Sequence, residues 1–428
     1  MADQQHSESA EGTIGPVTLW SLVAGGMVGG GIYTALGVVV ALAGQWAWLS
    51  FLLAGLIALP SAYNYCRLTN RFEKSGGAFQ FLEEMDRERL AGSLSWILLL
   101  GYVLTIALYA FAFGHYLAFA FHGGSLLTRG LALGVTAFLI ALNLLGVGKM
   151  RSIEIFSVVG NLLVLLSLAG YGLANFDANA LVSGIEPQPV WAALIGAASI
   201  FVSYEGFQLV TYEYDQLKRP GKNLTPMVVS GTIFVILTYI AVALGATSLA
   251  GALTVIDKKQ VALSLAALKA WGQPGLIALT VAAGMATLAA INSTLFSSAN
   301  LAARIAGDGE LPSLFEKRNG ADVPWAGVVI LGTLAGVLSV TGSLSVLVET
   351  ASLAFLFTFG MVNLIAYRVL QRRRWVSVMG LGLGGFIGFF LFLRLLISAT
   401  FALASFIVLC LLVFVGRPYV LKRVHTDD

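Results

Sequence analysis

Two apolar segments of the chain contain residues that interrupt helices and bind charged groups. The first carries Gly29, Gly30 and Gly31 in succession, and a glycine costs about 1 kcal/mol relative to alanine in a helix interior. The second places Ser203 and the carboxylate of Glu205 in a similar apolar setting. An interrupted helix exposes N–H groups with positive character at one end and carbonyls with negative character at the other. Two such breaks predict a site for a small molecule that carries both charges, such as an amino-acid zwitterion.

The glycine run has a second interpretation, as a surface for close helix packing. Gly25 and Gly29 are four residues apart, and so are Gly26 and Gly30, as in the small-xxx-small pattern of packed membrane helices. This spacing, considered alone, favours packing. The second break lies at the corresponding place in the other half of the chain. Because paired breaks are the best sequence indication of a binding site between repeats, the binding interpretation is preferred.

The composition predicts that membrane-spanning helices position the two breaks. Of the 428 residues, 58% are hydrophobic and 11% are charged, whereas soluble globular chains carry about 25% charged residues. Apolar runs of about 20 residues recur, and each can cross a hydrocarbon core of about 30 Å as a helix. The net charge of +3 is small and does not point to a nucleic-acid partner. The twelve predicted spans are 17–42, 46–66, 94–121, 128–146, 152–174, 191–216, 224–250, 274–305, 325–342, 345–369, 376–395 and 398–416.

The placement of lysine and arginine predicts the orientation of the chain. With a cytoplasmic N-terminus, roughly 20 of the basic residues fall in cytoplasmic segments, as the positive-inside rule requires. An even number of spans puts both termini in the cytoplasm, and the short loops favour a prokaryotic inner membrane. The predicted regions are a disordered tail at 1–15, a first five-helix repeat at 16–174, a second at 191–369, helices 11 and 12 at 375–416 and a tail at 417–428.

Short motifs in a characteristic order run along nearly the whole chain. They are Gly29–Tyr33, Ser75–Phe79, Ser203–Phe207, Asp215–Pro226, and Asp308–Pro312 followed by Pro324. Together they resemble the amino acid–polyamine–organocation permeases. The resemblance implies a LeuT-type fold, in which two inverted five-helix repeats precede two further helices. It also implies a secondary transporter, not an enzyme, that moves amino acids by alternating access and is either coupled to an ion or an exchanger.

The resemblance also implies which groups contact the substrate. The carboxylate would meet the N–H groups of Gly30 and Gly31. The amine would meet the carbonyls of Met27, Phe201 and Tyr204. The predicted substrate-binding residues are Met27, Gly29, Gly30, Gly31, Phe201, Ser203, Tyr204 and Glu205.

A coupling ion is implied by the same resemblance. Proton-coupled members share a lysine on span 5 where this chain has Asn161, and a neutral amide cannot replace that cation. Either a sodium ion binds there, or the protein works without that ion. Asn292 and Ser293 could instead join helices through hydrogen bonds. The sodium ligands that the resemblance implies come from Gly25, Val28, Ala289, Asn292 and Ser293.

Glu205 is expected to be functional, because an ionisable residue in the middle of a span costs about 3 kcal/mol or more. It could carry a proton, pair with a cationic substrate or pair with a fixed partner inside the protein, and the first two roles are favoured. A polyamine or organic-cation carrier is therefore an alternative function. Tyr102 and Tyr109 on span 3 are further site candidates, although core packing or lipid anchoring is commoner for such residues. Glu349, at the start of span 10, is interpreted as interfacial.

A membrane sensor without transport activity is a third hypothesis. Sensors of this kind usually carry an additional soluble domain, whereas short tails are expected here. The expected partners are a small-molecule substrate and the lipid bilayer, and the chain is predicted to be a monomer or a homodimer.

Overall fold

The computed structural model describes residues 12–83, 88–146 and 151–398, together with residues 403–404, 407–408 and 411. Helices account for most of these residues, and two isolated bridges are the β-type pairings within them. The α-helices are α1 (Pro16–Val28), α2 (Gly31–Ala43), α3 (Ala47–Phe72), α4 (Gly77–Glu83), α5 (Glu88–Ala120), α6 (Ser125–Leu144), α7 (Arg151–Ala174), α8 (Ala192–Ser199), α9 (Pro220–Ala250), α10 (Ala252–Asp257), α11 (Ala262–Gly307), α12 (Trp325–Thr341), α13 (Leu344–Val369) and α14 (Arg374–Ser398). The 3-10 helices cover Gly44–Trp46, Ala178–Val182, Phe201–Tyr204, Leu209–Gln216, Lys259–Val261 and Ser313–Phe315.

Eight helical stretches of the described chain are long and apolar enough to cross a membrane, or nine if the bent pair Ala192–Ser199 and Phe201–Gln216 is one span. The first stretch, Pro16–Phe72, has 57 residues. At about 1.5 Å per residue it is far longer than a core of about 30 Å, so it can hold more than one crossing. Most of the predicted span 398–416 lies outside the described residues. The count of twelve spans and the inverted repeat therefore stay predictions.

The interior of the bundle is built around α5. In its most apolar window 83% of the residues are buried, against 22% for α6. α5 packs against α6, α11, α12 and α13, whereas α6 turns most of its surface outward. Two tyrosines of α5, Tyr102 and Tyr109, are fully buried by these contacts. Neither is a lipid anchor.

The chain before α1 is joined to the segment that follows the second break. The N–H of Ile14 donates to the carbonyl of Gln216 (2.9 Å), and the N–H of Lys218 donates to the carbonyl of Ile14 (2.9 Å). Ile14 is 1% exposed. Residues 12–15 are thus part of the folded structure, although the sequence assigned them to a disordered tail. The rest of that tail, and the tail at 417–428, lie outside the described residues.

Candidate substrate-binding site

The first break separates α1 from α2 at Gly29 and Gly30. The N–H of Gly29 still donates to the carbonyl of Gly25 (2.8 Å), so the helical pattern ends only at Gly30, whose φ of −125° and ψ of −16° are not helical. Gly31 then begins α2. The first N–H groups of a helix have no partner within that helix. The start of α2 therefore offers free donors inside the bundle, at the place where the sequence predicted an interruption.

The second break is longer and bends the chain. α8 ends at Ser199, the 3-10 turn Phe201–Tyr204 follows, and Glu205 is extended with φ −67° and ψ 147°. The helical segments on the two sides are bent by 56°. Gly206 has φ +123°, a backbone conformation that side chains with a Cβ rarely adopt. Glycine at this position permits the change in direction.

The two breaks meet backbone to backbone at Gly26 and Gly206. A Cβ built on Gly206 would lie 2.5 Å from the carbonyl carbon of Gly26 and 2.9 Å from the nitrogen of Met27. The glycines of both segments therefore permit close packing as well as interruption of the helices. Both interpretations of the glycine run thus apply to this region. Ser203 adds a polar contact, because its Oγ lies 3.3 Å from the carbonyl oxygen of Gly31.

Tyr239 of α9 connects the carbonyls of the two breaks. Its Oη lies 2.6 Å from the carbonyl oxygen of Met27 and 2.9 Å from that of Ser203. A phenol has one proton, so it donates to these two acceptors in a shared geometry. The carbonyl of Met27, predicted as a ligand for a substrate amine, thus already has a partner within the protein.

Tyr109 covers the first break from the side of α5. A Cβ on Gly30 would lie 2.0 Å from a ring carbon of Tyr109, so the ring is packed directly against the Gly30 backbone. The Oη of Tyr109 is buried near the Glu205 carboxylate and makes no hydrogen bond of good geometry to the described residues. The Tyr109 ring therefore forms an aromatic wall of the site, and its hydroxyl lies near Glu205.

Glu205 lies at the centre of a buried polar cluster. Its Oε1 accepts a hydrogen bond from Nε2 of Gln208 (2.8 Å), which is also 3.3 Å from Oη of Tyr102. Tyr102 and Tyr212 share a hydrogen bond of 2.6 Å between their hydroxyls. Glu205 is 1% exposed. Its Oε2 and the Oη of Tyr65 make no hydrogen bond of good geometry in the described chain, and the hydroxyl of Tyr109 lies near the carboxylate. One oxygen of the Glu205 carboxylate thus accepts a hydrogen bond of good geometry within the described residues, and the other does not.

A small cavity lies beside the first break, on the side of α7 and α11. Its volume of about 10 Å³ is roughly that needed by one water molecule or ion. Val28 does not line it, and Asn292 accepts a hydrogen bond from Asn143 (2.8 Å). Asn292 thus joins two helices, as the alternative interpretation expected. The predicted ion ligands that line the cavity are Gly25, Asn161, Ala289 and Ser293.

Asn161 is already engaged at the edge of this cavity. Its Oδ1 accepts a hydrogen bond from Oη of Tyr33 (2.5 Å), whose ring meets that of Tyr116 edge to face. The amide therefore fixes α7 to α2 through a side chain that the sequence analysis did not select. Two functions, helix contact and cavity lining, coincide at Asn161.

Comparison with known proteins agrees with this architecture. The sequence model of the family described as "Amino acid permease" matches residues 14–424. The chain belongs to the amino acid permease family. An inner membrane transport protein of Escherichia coli, YbaT, is 28% identical to this permease over 362 residues, which are 83% of this chain and 84% of YbaT. The permease is accordingly an integral membrane protein of a transporter family.

Two further similarities define the fold and the range of relatives. The methylthioribose transporter of Bacillus subtilis is 26% identical over 396 residues, covering 87% of the permease and 84% of that protein. The LeuT-fold transporter MhsT, solved in complex with L-phenylalanine, superimposes with a TM-score of 0.64 at 16% identity, covering 88% of the permease and 97% of MhsT. The permease therefore shares the fold of MhsT.

Several residues that shape the site of the permease were missed by the sequence analysis. Tyr239 is a single tyrosine in an apolar span, and nothing in its local sequence separates it from core residues. Tyr33 ends the Gly29–Tyr33 motif, but its contact with Asn161 was not predicted. Glu349, interpreted as interfacial, is 2% exposed and pairs with Arg394 at 2.6 Å. The described residues contain no basic partner for Glu205. Packing between distant helices, not local sequence, determines all of these contacts.

Proposed function

We propose that the permease is a secondary transporter that moves an amino acid by alternating access, either coupled to an ion or as an exchanger. The observation that carries this proposal is the pair of interrupted helices whose backbones meet at Gly26 and Gly206. Free helix ends inside an apolar bundle can bind charged groups that lipid cannot solvate. Rocking of one helical repeat around these ends would expose the bound substrate to each side in turn.

The charges at the breaks support a zwitterionic substrate. The start of α2 at Gly31 is suited to a carboxylate, because its N–H groups carry the positive end of the helix dipole. The carbonyls of Phe201 and Tyr204 are suited to an ammonium group. Tyr109 would have to move from the Gly30 backbone, and its Oη could then donate to the substrate. The MhsT complex with an amino acid supports this class, although another relative is named for methylthioribose.

A second candidate function is transport of a polyamine or another organic cation. The buried carboxylate of Glu205 supports it, together with the hydroxyls of Tyr65 and Tyr109, which lie close enough to interact with that carboxylate. A primary ammonium group has three donors, and the carboxylate and the two hydroxyls would be acceptors for it. If this carboxylate recognises cations, removing its negative charge should abolish their binding.

The coupling ion is proposed from two separate places in the structure. A sodium ion in the small cavity would use oxygens around Gly25, Ala289 and Ser293, which suits a hard cation. A proton would instead reside on Glu205, whose buried carboxylate has no basic partner among the described residues. Plain exchange would need neither ion.

The experiment is a ligand-dependent thermal-unfolding screen of the purified permease, because a ligand that binds the folded state raises its apparent stability. The panel contains the twenty amino acids, putrescine and spermidine, each in sodium chloride and in potassium chloride. Hits are then measured as uptake into proteoliposomes. Stabilisation and uptake with neutral amino acids would support the main proposal, and sodium dependence would support the cavity as the ion site.

Two variants separate the candidates. Glu205→Gln should weaken binding of cations by more than about tenfold under the cation proposal, and should leave binding of neutral amino acids in place. Glu186→Gln, which changes an exposed carboxylate, is the control. A panel in which no amino acid stabilises a folded, monodisperse protein would contradict the main proposal. Binding without uptake would favour the sensor hypothesis.

We further propose that the permease resides in a prokaryotic inner membrane with both termini in the cytoplasm, as a monomer or a homodimer. The similarity to YbaT, an inner membrane transport protein, supports this membrane. Accessibility of a cysteine at either terminus to an impermeant thiol reagent in intact cells would contradict the orientation.

A further inference from the structure

One face of α13 carries a line of three polar residues near the start of the helix. Ser345, Glu349 and Ser352 follow one another at spacings of four and three residues, so they lie on the same face. Glu349 is 2% exposed and Ser352 is fully buried. Each of the three contacts a different part of the fold. We call this set the α13 polar face.

The first contact connects the α13 polar face to the segment after α10. Nζ of Lys259 donates to Oγ of Ser345 at 3.3 Å. The same lysine packs against α2, because a Cβ on Gly37 would lie 2.3 Å from Cα of Lys259. The α13 polar face therefore reaches the second half of the first interrupted helix.

The second contact is a buried ion pair with α14. Nη1 of Arg394 is 2.6 Å from Oε1 of Glu349 and 3.5 Å from Oγ of Ser199, the last residue of α8. The Arg394 side chain is 18% exposed. A cation at the C-terminal end of a helix interacts favourably with the helix dipole. The guanidinium thus joins α13 to the end of α8.

The third contact satisfies the backbone at the second break. Oγ of Ser352 donates to the carbonyl of Ser199 (2.7 Å) and accepts from the N–H of Val202 (2.9 Å). These two backbone groups lie on either side of Ile200 and Phe201, where α8 gives way to the 3-10 turn. Ser352 therefore replaces the hydrogen bonds that the interruption of the helix removes.

The ion pair is not explained by stability alone. Burying two charges is costly, and replacement of a buried pair by apolar side chains of similar volume is often neutral or stabilising. Hydrogen bonding by Ser352 fixes α13 to the end of α8, but it leaves α14 free to shift relative to both helices. Arg394 adds a contact to α8 from the other helix, so that α8, α13 and α14 hold one another at a single point. That point lies two residues before the carbonyl of Phe201.

We propose that Glu349 and Arg394 are positioning residues that fix the C-terminal end of α8, and with it the start of the second break, without contacting a ligand. Loss of the pair removes the contact of α14 with the end of α8 and leaves that end held by Ser352. The backbone between Ser199 and Gly206 then opens more often, while the rest of the bundle is unaffected.

The test is hydrogen exchange of the purified, ligand-free permease, measured by mass spectrometry on peptides that cover residues 199–206. Ser352→Ala calibrates the signal, because it removes the acceptor of the Val202 N–H. In Glu349→Gln and in the double variant Glu349→Leu/Arg394→Met, the exchange rate in this segment should rise by about tenfold. A rise of this size corresponds to the loss of roughly one net hydrogen bond from the closed state. The double variant should unfold at the same temperature as the unmodified protein or a higher one. Asp322→Asn, which breaks the exposed pair with Arg318, is the control.

Rescue distinguishes positioning from general stabilisation. Arg394→Lys keeps the positive charge, so residues 199–206 of this variant should retain most of the protection from exchange that they have in the unmodified protein. The proposal is overturned if the double variant folds with unchanged exchange in that segment. It is also overturned if exchange rises equally in peptides of α5 and α9, because a global effect means that the pair only stabilises the bundle. Should Glu349→Gln fail to fold, the double variant still decides the question.

Discussion

Replacing Gly206 by alanine tests whether the contact between the two breaks is required. The added methyl group would lie 2.5 Å from the carbonyl carbon of Gly26, and the residue would have to keep φ at +123°. Strain at such a backbone conformation costs about 1–3 kcal/mol. Inserting a methyl group into a packed contact costs about 1–3 kcal/mol more. We therefore expect the free energy of unfolding to fall by about 2–6 kcal/mol.

The assay is unfolding of the purified protein in detergent, with binding of the ligand from the screen measured on the fraction that remains folded. Gly160→Ala in α7 is the control, because no atom lies within 4 Å of a Cβ at that position. Alanine is favoured over glycine in a helix by about 1 kcal/mol, so the control should be as stable as the unmodified protein or slightly more stable. If Gly206→Ala unfolded at the same temperature as Gly160→Ala and bound ligand equally well, the close contact of the breaks would be refuted.

Three further predictions concern contacts of single side chains. Tyr239→Phe leaves two buried carbonyls without their donor and should cost about 1–3 kcal/mol of unfolding free energy; Tyr171→Phe, at a partly exposed ring, should change little, and equal melting temperatures would contradict the bridging role. Asn161→Lys places an ammonium group beside the small cavity and should abolish any sodium dependence of uptake; sodium-dependent uptake retained by this variant would exclude the cavity as the ion site. Ile14→Pro removes the N–H that donates to Gln216 and should speed proteolytic cleavage before α1, whereas Ile14→Val should not; equal cleavage of both would show that this bond does not hold the segment.

The helices and their two interruptions follow from local sequence. A run such as Gly29–Gly31 disfavours a helix wherever it occurs, and an apolar run of about 20 residues can do little else in lipid than form one. The special conformation at Gly206 follows from its lack of a Cβ. These features depend on a few adjacent residues, so they can be predicted without knowing what lies beside them.

The partners of the breaks depend on distant parts of the chain. Tyr239 follows Met27 by 212 positions, and Ser352 follows Val202 by 150. Glu349 looked interfacial because it begins a span, and its burial results from the approach of α14 with Arg394. No periodicity marks such residues, because a tyrosine or serine in an apolar helix has the same local pattern whether it packs or donates. The side chains that hydrogen-bond the backbone at each break can therefore be identified only once the helices are packed together.

The backbone contact between Gly26 and Gly206 limits which substitutions can alter ligand preference. At this contact two main chains touch with no side chain between them. Point substitution offers no graded change here, since even the smallest addition forces the backbones apart. Under the proposed function, ligand preference would change through flanking side chains such as Glu205 and Tyr109, while the contact between the two main chains requires its glycines.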